Sequence, residues 1–183
     1  MDQLRHQLSA LLVALALGAC GGAAAADDVT AAAAEPADVA PLRGGVDDLD
    51  ELGRAVVAGL NARDAAALDA LLVDEADFKG RLFTALSRHP NAQQMGPELL
   101  WDMQRRQGAD ELARAIELHG GQALRYLGLE AGRIERRGDI RLHRRPTLLV
   151  EVGGAPQRLQ LLGSIVEHVP SGSFKLVTYR MRG

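Results

Sequence analysis

The chain has 183 residues, a formal net charge of −3 and an apolar content of 47%. That content excludes a chain disordered throughout, and a single cysteine excludes an intrachain disulfide framework and a zinc site built on cysteine. Aromatics make up only 3%, so the core is expected to be aliphatic, built from leucine and valine.

The apolar run Leu8–Ala19 opens the chain. It is shorter than the roughly 20 residues that a transmembrane helix needs, and it fits the apolar region of an export signal. Leu17-Gly18-Ala19-Cys20 closes it and resembles the lipobox of bacterial lipoproteins. The resemblance implies that Cys20 is acylated and becomes the first residue of the mature protein. It makes the lipid bilayer a partner and the bacterial cell envelope the location. Gly21 is not the aspartate that retains such proteins in the inner membrane, so the outer membrane is the implied address.

Residues 21–52 hold eight acids against one arginine, whereas 53–183 hold nineteen bases against fifteen acids. Residues 20–45, rich in alanine and acids, read as a solvated flexible tether. Residues 1–19 are then a signal peptide and 46–183 one folded domain, large enough to bury a core unaided.

Leu49, Leu52, Val56 and Leu60 recur at helical spacing after a capping Asp47 or Asp48. Asp64 is suited to cap a short second helix that buries Leu68, Leu71 and Leu72. Asp74 is suited to cap a third, with Phe78, Leu82, Phe83 and Leu86 inward and His89-Pro90 as its stop. Pro97 opens the next helix, carrying Leu99, Leu100 and Met103. Gly108 marks an interruption in it, and the stripe runs on through Leu112, Ala115, Ile116 and His119 to Gly120-Gly121. His119 is expected to serve the helix end, where a cation is favourable.

The period then changes to alternation. Leu124 and Tyr126 face one way, Leu127 and Leu129 the other. Strand pieces are predicted at 139–144 and 147–152, with Pro146 as an edge, kink or bulge. A turn at Gly153-Gly154-Ala155-Pro156 leads to a long strand, Leu159–Val169. Pro170-Ser171-Gly172-Ser173 turns the chain into the last strand, Phe174–Met181. Pairing Val169 with Phe174 puts Ser164 opposite Tyr179 and Leu162 opposite Met181. Both faces of that hairpin are mixed, so alternation does not choose the core side.

The expected class is α+β: N-terminal helices packed on one face of a curved antiparallel sheet. The order of elements, LNARDAAALDALL at 60–72 and LLGSIVEHVPSGSFKLVTYR at 161–180 resemble the NTF2-like superfamily. That resemblance implies a cone enclosing a pocket between helices and concave sheet, and homodimers formed through the sheets. Its enzymes, of isomerase or dehydratase type, use histidine, carboxylate and tyrosine groups inside the pocket.

No motif here transfers a catalytic residue, so the expected catalytic set is none. Pocket-lining candidates chosen by chemistry are Trp101, Tyr126, His143, Glu151, His168 and Tyr179. His168 and the adjacent Glu167 point to opposite faces of a strand and form no dyad. Metal ligation has no i, i+4 arrangement behind it, no cofactor is expected, and there is no Gly-rich phosphate loop. The stretch 133–145 holds six arginines against two acids, a solvated face that also suits a polyanion. It lacks interleaved aromatics, so nucleic acid is not expected.

The functional expectation is a membrane-anchored envelope lipoprotein whose domain binds an envelope protein or a small apolar ligand without catalysis. The alternative is an isomerase or dehydratase with an apolar pocket and a histidine or carboxylate base.

Overall fold

The computed structural model describes residues 40–86 and 90–180. The expected signal peptide, Cys20, the expected tether up to residue 39, His89 and Met181 lie outside the described residues. Among those described, no helix is long and apolar enough to cross a membrane.

Helices come first. Helix α1 (Leu49–Ala62) is capped by Asp48, whose carboxylate accepts from the Glu51 N–H at 2.8 Å. It ends at Arg63, in the left-handed region at φ 53°. Helix α2 (Ala65–Ala70) is capped in the same way by Asp64, and α3 (Glu75–Asp77) by Asp74. The chain then widens into a π turn, Phe78–Leu82, before α4 (Phe83–Leu86). All three predicted aspartate caps are thus in place.

Helix α5 (Pro90–His119) is kinked at Gly96, whose backbone (φ 74°, ψ 167°) is not helical. Pro97 follows the kink, where its missing N–H costs least. Gly108 does not interrupt the helix.

The remaining chain is an antiparallel meander of bent strands. Strands β1 (Arg125–Glu130) and β2 (Arg133–Arg137) are two halves of one run broken at Ala131-Gly132. The halves β3 (Ile140–Arg144) and β4 (Thr147–Val152) break at Arg145-Pro146. The halves β5 (Ala155–Leu159) and β6 (Leu162–His168) break at Gln160-Leu161, and β7 (Ser173–Tyr179) closes the chain. The halves sort into two open sheets, β1-β4-β5 and β2-β3-β6-β7.

The bends have local causes. Gly132 sits at φ +69°, and a Cβ there would lie 2.2 Å from the Arg144 carbonyl oxygen. Only glycine lets the two crossing strands approach so closely. Pro146 withholds an N–H from the ladder at the matching point.

Several sequence expectations need correction. The predicted strand Leu159–Val169 is interrupted, and Ala155-Pro156 belongs to edge strand β5 rather than to the turn. The last hairpin pairs His168 with Ser173 and Leu162 with Tyr179, a different register from the predicted one. Bulges at Gly163 and Val177 then let Tyr179 join Ile165 and Leu176 in one core. A bulge at Leu127 likewise brings Tyr126 and Leu129 to the same core and leaves Leu127 exposed.

Two clusters form the interior. The first joins Leu52, Val56 and Leu60 of α1 to Leu148, Val150, Ile165, Leu176 and Tyr179. The second joins Leu42, Val73, Phe78 and Leu82 to Ile140, Leu142 and Val166. Ile165 and Val166 are neighbours on β6, belong to different clusters and point oppositely, so strand β6 is buried on both faces while β2 of the same sheet stays largely exposed.

Packed structure also starts before Val46. Leu42 is buried, its N–H donates to Ser173 Oγ at 2.9 Å, and the Arg43 N–H donates to Asp77. The free edge of β7 is covered by Val46, which bridges to Phe174, and by Leu72, which bridges to Leu176. An open edge there would invite pairing with another chain.

Candidate functional site

A groove of about 420 Å³ lies between the helices and the four-stranded sheet. Phe78 of the π turn, Phe83 of α4 and Leu100 and Met103 of α5 form its helical wall. Ser164, Val177, Thr178 and Tyr179 form the sheet side, with Arg144 and Arg180 on the lining as well. The size lies at the lower end of the range for small-molecule pockets.

The local folding places these groups. The π turn re-aims Phe78, whose ring lies 5.4 Å from that of Trp101 on α5. Gln104 ties α5 to the sheet by donating to the Val177 carbonyl at 3.0 Å. Gly163 forms the floor: a Cβ there would come within 2.6 Å of Thr178. Met103 is 48% exposed at the rim, and Leu99 is also exposed.

The groove polarity is one-sided. No carboxylate lines it. Among the described residues Arg144 has one acid within ion-pair distance, Glu135 at 3.6 Å, and Glu135 also serves Arg133 at 2.7 Å and Arg137 at 3.1 Å. Those arginines hold the Glu135 carboxyl below the usual range, Arg137 foremost. One carboxylate facing three guanidiniums leaves positive charge in excess.

The candidate residues chosen from sequence are scattered. Cys20 lies outside the described residues. Trp101 lies half-buried beside the groove, in a crevice with Leu72, Val73 and Val177, with the Arg105 guanidinium 5.7 Å from its ring. Tyr126 packs on Gly53 of α1, and its hydroxyl donates to Asp50 at 2.5 Å. Burial and that carboxylate push its pKa well up. Tyr179 lines the groove but is fully buried, and its hydroxyl donates to the Leu68 carbonyl at 3.0 Å. Glu151 is ion-paired across the ladder with Arg125, which holds its carboxyl below the usual range.

Neither strand histidine reaches the groove. His168 is 3% exposed and lies within 2.8 Å of Ser171 Oγ, in a separate cleft with Arg81, Arg137 and Asp139. The two arginines of that cleft donate to the carbonyls of Ala40 and Ala85. His143 is 3% exposed, not a rim residue, and points to the opposite face of the sheet from Leu142. Its Nε2–H donates to Glu167 Oε2 at 3.1 Å, and Arg141 donates to Glu167 Oε1 at 2.7 Å. His143 Nδ1 has no partner and is the sole buried orphan among the described side chains. The arginine-rich surroundings expected for His143 are thus balanced by a carboxylate two strand positions away from its ladder partner, Ile165.

Two features of the site escape a reading of the sequence alone. Arg144 and Arg180 meet at one groove only because β3, β6 and β7 pair in this register. Lys175 is buried beneath Gly44, and burial lowers its pKa against the opposing pull of Asp74, Asp77 and Asp69. No triad of histidine, cysteine or acidic side chains among the described residues has metal-site geometry.

No family of known proteins, curated protein or solved structure matches this chain.

Proposed function

We propose that this protein is an envelope lipoprotein, anchored through acylated Cys20, whose domain binds a small apolar ligand in the groove between α5 and the sheet. The observation that carries the binding reading is the composition of that groove. Its lining holds aromatic and aliphatic side chains, the amides of Gln104 and Gln107, the hydroxyls of Ser164 and Thr178, two arginines and, among the described residues, no carboxylate or histidine. The tyrosine hydroxyl beside it is committed to a backbone carbonyl. A general base needs hydrogen-bond reach of a reacting proton, and the lining offers no histidine or carboxylate for that task.

The same reading assigns the chain to the NTF2-like cone architecture. Helices preceding an antiparallel meander, and a groove between the two, support it. Sharp bends in three strand runs are what a cone requires of its sheet. The anchor rests on Leu17-Gly18-Ala19-Cys20 at the end of the apolar run, with the acidic stretch that follows as its tether.

Expression of the wild type beside Cys20→Ala in bacteria tests the anchor. Intact mass of the membrane-extracted wild type is expected to equal residues 20–183 plus acyl chains. The variant is expected to leave the membrane fraction. An unacylated wild-type product would remove the anchor from the reading.

A further inference from the structure

We infer that the groove takes a single-chain amphiphile with an anionic head: an alkyl chain against the aromatic wall, a carboxylate-type head at Arg144 and Arg180. The inference rests on the binding reading above and specifies the ligand class.

The apolar part of the groove is its wall. Phe78, Phe83, Leu100 and Val177 present rings and aliphatic groups to a groove that is open rather than sealed. A flexible alkyl chain gains contact along such a wall in proportion to the area it removes from water.

The polar half is charge. Arg144 and Arg180 line the groove, and Arg180 lines a small adjoining crevice together with Arg145. Neither space has an acid on its lining. Among the described residues Arg180 and Arg145 have no carboxylate partner, and Arg144 shares Glu135 with two other arginines. Guanidiniums lacking acids of their own suit a planar carboxylate, which they can bind through paired N–H donors.

The geometry also selects this groove over the cleft around His168. There Arg81 and Arg137 already donate to main-chain carbonyls, and Asp139 lines the same space. An anion would meet an acid and two occupied guanidiniums.

The test uses the full-length chain carrying Cys20→Ala, so that no covalent lipid competes. Dodecanoate, dodecyltrimethylammonium and acetate are titrated by calorimetry and by the emission of Trp101, the chain's one tryptophan. Trp101 touches Phe78 of the groove wall and so reports occupancy. Saturable binding of dodecanoate is expected, at one site per chain. Arg144→Gln with Arg180→Gln is expected to weaken it by about tenfold or more, with thermal unfolding unchanged. Any contribution of the Leu8–Ala19 run is the same in both proteins and cancels. Acetate alone and the cationic amphiphile are expected to bind far more weakly.

Equal binding of both amphiphiles, unchanged in the double variant, would overturn the anionic assignment and leave an apolar binding groove. Absence of saturable binding by any of the three would overturn the inference together with the small-ligand form of the reading. The mass measurement on Cys20 would still decide the anchor separately.

Discussion

At the scale of single residues, burial shifts two basic groups, His119 and Lys175, in ways that bear on stability. His119, at the end of α5, was expected to complement the helix dipole as a cation; instead burial lowers its proton affinity. As the pH falls through about 6.5, the unfolded chain therefore takes up a proton before the folded one does. Stability is lost with acid across that window, down to the folded pKa. His119→Gln is expected to flatten the loss as the pH falls below about 6.5, read by urea unfolding at each pH. Lys175 has the matching sign for a base with a higher ordinary value. Its folded pKa lies below 10.5, so the folded state is penalised while the amine is charged in both states. Wild-type stability from this group rises as the pH climbs from the folded pKa towards 10.5. Lys175→Met is expected to raise Tm at neutral pH, by a margin that shrinks as the pH approaches 10.5. Calorimetric scans at two pH values check this, and a lower Tm for the variant at neutral pH would contradict it.

At the scale of elements, what the sequence announces and what it conceals divide along physical lines. Aspartate caps act within three residues, so Asp48, Asp64 and Asp74 are legible from the chain alone. The strand break at Pro146 is legible for the same reason, since proline lacks the N–H that a ladder uses. Bulges are different. Those at Leu127, Gly163 and Val177 change which side chains share a face, and nothing in an alternating pattern marks where parity changes. Leu162–His168 is buried on both sides except at Gly163, so its mixed pattern carries no direction. The groove inherits this opacity, because Arg144 and Arg180 are 36 positions apart and meet through register. The bend at Gly132 is the sharpest test of the element account. Gly132→Ala places a methyl against the Arg144 carbonyl at positive φ. It is expected to cost roughly 2–4 kcal/mol in urea unfolding, against the few tenths of an exposed glycine in ordinary backbone. Gly80, with open space around its Cβ position and no positive φ, is the control.

At the scale of the whole molecule, the proposed reading is of a membrane anchor, an acidic tether and a domain with a groove suited to a ligand. The enzyme alternative asks for a histidine or carboxylate beside a tyrosine hydroxyl in one cavity. The groove brings Tyr179 alone, its hydroxyl bonded to Leu68, while His143 faces the other side of the sheet and His168 a different cleft. The Arg141–Glu167–His143 cluster, buried at Glu167 and His143 and part-exposed at Arg141, then reads as a structural element of the sheet, with His143 Nδ1 left unpaired inside it. The central claim is that the groove between α5 and the sheet is where the domain holds its ligand. Its most direct test is native mass spectrometry of the protein extracted from membranes, compared with the mass under denaturing conditions. The account predicts a noncovalent adduct that denaturation removes. Met103→Trp, at the groove rim, is expected to lose the adduct; Thr84→Trp, in the cleft around His168, is expected to keep it. An adduct lost with Thr84→Trp and retained with Met103→Trp would contradict the account.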